Sequence, residues 1–176
     1  MSRKVRLRIL LPIAQTVSAA TFGSVGLWQR YQILNQRLWG DKTLWESTAA
    51  YHVWPPPFRF AVVTNIPAFL AGALAEWPIG RVWPHHPEHV GYLPGLACVA
   101  LLWYWVGLVF DAQSQASKPR TAVAVLVSFT ALSVVGVFTP GYIGYVYYGV
   151  LLWVTFTVVL VRLRKRTGNQ RGPASA

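Results

Sequence analysis

Uncharged stretches separated by basic clusters set the pattern of this chain. The longest runs from Thr121 to Val161, 41 residues between Arg120 and Arg162 without a charged side chain. As one helix at about 1.5 Å per residue it would reach roughly 60 Å, twice the ~30 Å hydrocarbon core of a bilayer, so it predicts a helical hairpin. Thr139-Pro140-Gly141 marks the turn, because Pro140 has no amide to continue a helix and Gly141 tolerates left-handed dihedrals. Three shorter uncharged runs come first: Ile9 to Gln29, Phe60 to Ala75 and Val90 to Phe110. The pattern predicts an all-α fold, an integral membrane helical bundle of four or five apolar helices (9–29, 60–75, 90–110, 121–138, 142–161) plus interfacial helix segments. One multi-pass domain covers 1–166, and 167–176 is expected to be a flexible tail.

The segments differ in strength. Val90 to Phe110 is long enough to span, and Trp103, Tyr104 and Trp105 near its Asp111 end are expected at the headgroup boundary. Ile9 to Gln29 is diluted by Gln15, Thr16, Ser18, Thr21 and Ser24, so it is expected either to cross with less driving force or to pack those hydroxyls against a neighbouring helix. Residues Ser2 to Arg8 resemble the basic start of a secretory signal, but the uncharged stretch continues to Gln29 and reads as a retained anchor. Phe60 to Ala75 is the weak segment, ~24 Å as a helix, with Asn65 and Pro67 at its middle.

Both termini are basic, and the positive-inside rule places both in the cytoplasm, whereas five crossings would separate them. Two topologies satisfy the charge count equally, each with eleven of the sixteen basic residues inside. In one, the second segment dips in and returns, so that the N-terminal tail, the 111–120 loop and the C-terminal tail are inside. In the other all five segments cross, and the N-terminal tail, with four cations in eight residues, must be translocated against the voltage gradient. The first is favoured, since Asn65 followed by Pro67 reads as the cap and first turn of a half-helix.

The connection 29–57 shows helical periodicity, with Leu27, Tyr31, Leu34 and Leu38 on one face. Gly40 interrupts it, Thr43-Leu44-Trp45-Glu46 forms a capping-box pattern, and Pro55-Pro56-Pro57 ends it. With Trp39, Trp45 and Trp54 along it, this stretch predicts one or two helices in the interface plane.

Candidate chemistry is confined to the connection 77–91. His85, His86, Glu88 and His89 cluster there, and His85-His86-Pro87-Glu88-His89 matches H-x-x-E-H in letters. Zinc-peptidase chemistry needs two imidazoles one turn apart on a helix, and Pro84 and Pro87 work against that. Divalent-metal binding by two of these imidazoles with Glu88 or His52 is the alternative use of the cluster, since imidazole suits zinc, copper and nickel. No other cofactor is expected.

A net charge of +11 would suggest a nucleic-acid surface in a soluble protein. Here the cations flank apolar runs and 54% of the chain is apolar, so the expected partners are the lipid bilayer, a membrane protein or a second copy of the chain, and no nucleic acid. The one cysteine, Cys98, excludes a disulfide within the chain. No ionisable residue falls inside an apolar run, and no phosphate-binding loop or nucleophile elbow is present. These features predict a small polytopic protein of the plasma (inner) membrane, C-terminus cytoplasmic, acting as a non-enzymatic accessory or scaffold. The alternatives are a metal-binding protein using residues 85–89 and a carrier for a neutral or lipid-like solute at the Asn65 break.

Overall fold

The computed structural model describes residues 6–38, 54–83, 88–115, 119–139 and 142–170. They form five helices in an all-α bundle: α1 (Leu7–Leu38), α2 (Pro56–Val82), α3 (Glu88–Gln115), α4 (Pro119–Val137) and α5 (Tyr142–Gln170). By length and composition each is long and apolar enough to cross a membrane. The outer surface is apolar as well, with Ile13, Val17, Leu101, Val127 and Leu151 exposed, as expected where lipid rather than water is the solvent.

The antiparallel pair of α1 and α3 has the most extensive interface. Gly107 makes the contact close, because a Cβ there would lie 2.5 Å from the Arg8 Cα. At this end the Asp111 carboxylate accepts hydrogen bonds from the Leu7 and Arg8 amides at 2.8 and 3.3 Å. These are N-terminal amides of α1 without partners in their own helix, and a negative charge there also opposes the helix dipole. We call this the basic end. The opposite, turn end is reached where α4 closes with bonds from Phe138 N to Val135 O and from Thr139 N to Gly136 O, just before Pro140 and Gly141.

The path of α2 departs from a simple crossing. Its first turn lies at the turn end: Gly26 of α1 contacts the Phe58 backbone, and Arg59 donates to Val137 O and Thr139 O at 3.4 and 3.5 Å. Its second half lies at the same end, where a Cβ on Gly72 would come within 2.5 Å of the Gly95 Cα in the first turns of α3, and where the Phe69 ring sits 5.4 Å from that of Tyr92. Between them the helix is broken at Asn65 (φ −134°, ψ 21°). The helix therefore dips as far as Asn65 and returns without reaching the basic end. Its length suffices for a crossing, but its contacts describe the path of a segment that dips in and comes back.

Two expectations need correction. Residues 29–38 do not form a separate in-plane helix: α1 runs unbroken to Leu38, because no breaker separates this stretch from the apolar run before it. The capping-box residues 43–46 lie outside the described residues. Trp103 is not a headgroup-boundary residue. It is 1% exposed, and its ring packs within 5.8–6.4 Å of Phe129, Trp153 and Phe156 in the core.

Candidate functional site: the Asn65 junction

The most concentrated polar structure among the described residues is the junction inside α2. A helix broken within an apolar bundle exposes carbonyls that no water satisfies, each costing several kcal/mol in hydrocarbon. Here local and distant donors cover them. The Thr64 hydroxyl bonds back to Phe60 O at 2.7 Å, and Asn65 Nδ2 donates to Ala61 O at 2.9 Å and to the Thr64 hydroxyl at 2.9 Å. From α5, the Trp153 indole donates to Thr64 O at 3.2 Å. From α3, the Trp103 indole donates to Asn65 Oδ1 at 2.7 Å. Both amide protons of Asn65 and its carbonyl oxygen are thus engaged, although the side chain is 1% exposed.

Pro67 explains why the break falls where it does. It has no amide to give to Val63 O, so the second arm starts afresh there, while the Asn65 side chain, expected to cap that arm, instead gives its amide to Ala61 O in the first arm and its oxygen to Trp103. Close packing is possible because α5 presents Gly149 to the junction, where a Cβ would stand 2.7 Å from the Ile66 Cδ1.

Arg59 secures the first arm. Its Nε donates to Trp54 O at 2.8 Å, its terminal nitrogen reaches the last carbonyls of α4, and its guanidinium lies 5.5 Å over the Tyr145 ring. A cation at the C-terminal carbonyls of α4 also complements that helix dipole. Nearby, Arg30 of α1 stacks 4.0 Å over Trp54, which in turn stacks on Phe58 at 4.3 Å. Arg81 lies 3.8 Å over the exposed Trp77 ring, near the end of the second arm.

Of the residues predicted to bind metal, His52, His85 and His86 lie outside the described residues. Glu88 and His89 open α3, and their side chains lie outside the described residues too. Among the described residues no group of three or more metal-ligating side chains comes together. Cys98 is half-buried and packs against the core.

Sequence reasoning found Asn65 and Pro67 but missed their partners. The available signal was chemical: an indole N–H within an apolar run requires an acceptor, and Asn65 is the only side-chain amide in the 60–75 run. The junction holds no titratable group. What it does chemically is satisfy a broken backbone and clasp three helices at one point. No family model, no curated protein and no solved structure matches this chain.

Proposed function

We propose that the chain is a polytopic protein of the plasma (inner) membrane that acts as a non-enzymatic accessory or scaffold subunit. In this reading α1, α3, α4 and α5 cross, α2 is re-entrant, and both termini and the 111–120 loop are cytoplasmic. The observation that carries it is the Asn65 junction: the Asn65 amide group closes the break within α2 on Ala61 O and the Thr64 hydroxyl, its oxygen takes the Trp103 indole of α3, and the Trp153 indole of α5 takes Thr64 O. Such a segment acts as a fixed plug that shapes the outer face of the bundle. Even parity then agrees with the basic flanks, since Arg3, Lys4, Arg6 and Arg8 need not be translocated.

Two measurements test this. Cysteines placed singly at Ser2 and Ser47, in a background lacking Cys98, are labelled from outside intact cells; labelling at 47 alone is expected, and labelling at 2 alone overturns the topology. For the role, the tagged chain is extracted in mild detergent and its companions are quantified. A membrane protein recovered in fixed stoichiometry is expected, and a chain that elutes alone and monomeric in several detergents overturns the subunit reading.

A further inference from the structure

A groove of about 240 Å³ opens on the outer face between α4 and α5. Its floor is made by the buried Phe129, Leu152 and Phe156, and its rims by small or short side chains, among them Ala124 and Ser128 on α4 and Thr155 on α5. The Thr155 hydroxyl is turned to its own helix, donating to Leu151 O at 2.9 Å, so it leaves that rim apolar.

The groove has a direction. It begins beside Leu132 and Leu152 in the middle of the bundle and ends beside Thr121 and Val159 at the basic end. From residue 121 to residue 132 it covers about 16 Å of helix, close to the ~15 Å depth of one leaflet of hydrocarbon. At its mouth stand two exposed arginines. Arg120 is four residues before Ala124 on the same stripe of α4, and Arg162 is three residues after Val159 on the same stripe of α5. Asp111, the one acidic residue whose side chain is described, is engaged with the start of α1.

We infer that this groove seats one acyl chain of an anionic phospholipid, with the lipid phosphate held between Arg120 and Arg162. An apolar slot one leaflet deep that ends in two cations matches the length and the charge of such a lipid. A zwitterionic lipid fits the slot but gains less at its mouth, because its own cation offsets the phosphate. The inference rests on the orientation proposed above only for the leaflet that supplies the lipid, the cytoplasmic one.

The test uses the full chain, purified in mild detergent, stripped of lipid and titrated with phosphatidylglycerol or phosphatidylcholine, with bound lipid counted by native mass spectrometry. Phosphatidylglycerol is expected to be retained on the order of tenfold better, with the preference lost in the Arg120→Gln, Arg162→Gln double variant. Ser128→Phe, which fills the slot, is expected to reduce retention of both lipids. Equal retention of the two lipids by the wild type, or undiminished phosphatidylglycerol on the double variant, overturns the proposal. So does a dimer that Ser128→Phe dissociates, since the groove is then covered by a second copy. If Ser128→Phe fails to fold, the double variant decides alone, because both arginines are exposed. Detergent presents lipid to both ends alike, so a reversed labelling pattern at Ser2 and Ser47 would overturn the topology while leaving this count unchanged.

Discussion

Trp103 and Asn65 stand 38 residues apart in the chain, and a buried 2.7 Å hydrogen bond joins them. The bond ties the deepest point of α2 to the middle of α3. It also makes each residue the condition for burying the other, since an indole N–H and an amide oxygen each lose water on folding. Removing either one leaves a polar atom stranded in hydrocarbon.

The two residues should therefore be coupled. Asn65→Ala and Trp103→Phe are each expected to destabilise the bundle by about 1–3 kcal/mol, as buried groups left unsatisfied generally do. The double variant should cost less than their sum by roughly 0.5–2 kcal/mol, within the range seen for side-chain bonds between membrane helices. Reversible unfolding in mixed micelles measures all three; strict additivity would show that the bond contributes nothing.

Gly72 tests the return of α2. A side chain there meets the Gly95 backbone, which cannot move aside as a flexible side chain could. Gly72→Val should cost about 1–3 kcal/mol or more, and Leu74→Val, on the exposed side of the same arm, should cost little. Similar unfolding midpoints for the two variants would show that the second arm does not pack on α3.

Arg59 should not tolerate lysine. Its guanidinium serves Trp54 O and the carbonyls that close α4 at once, and an ammonium lacks the planar fork needed to span them. Arg59→Lys is expected to lose about 1–2 kcal/mol, with faster proteolysis at the 138–142 turn as the local readout. Unchanged cleavage in that turn would remove Arg59 from its support.

Asp111 should matter through α1. Asp111→Ala strips the first amides of α1 of their acceptor and is expected to cost about 0.5–2 kcal/mol. Asp111→Asn, which keeps an acceptor oxygen but not the charge, should fall between it and the wild type. Hydrogen exchange at Leu7 and Arg8 reports on this directly, and protection unaltered by Asp111→Ala would sink the account.

Which parts of this fold could be read in advance follows from the range of the forces involved. The pairing of α4 with α5 as a hairpin was legible because an uncharged run longer than a bilayer must reverse between its two halves. The break at Asn65 was legible for a local reason, a missing amide at Pro67. Trp103 was misread because interface and core tryptophans look alike until the acceptor is known. The end of the 9–29 run was misread as well, since polar composition beyond Gln29 says nothing about whether a helix stops.

By itself the sequence determined five apolar helices, an all-α bundle and basic flanks, because hydrocarbon solvent imposes long uncharged runs and the chain's own hydrogen bonds must be made within each. Tertiary structure alone decided where α2 goes. Residues 60–75 are long enough to attempt a crossing and broken enough to turn back, and local energetics leave these options close. The balance is set by contacts remote in sequence: indoles from α3 and α5 that complete the bonds of the break, and Gly72 against Gly95, which lets the returning arm lie on α3.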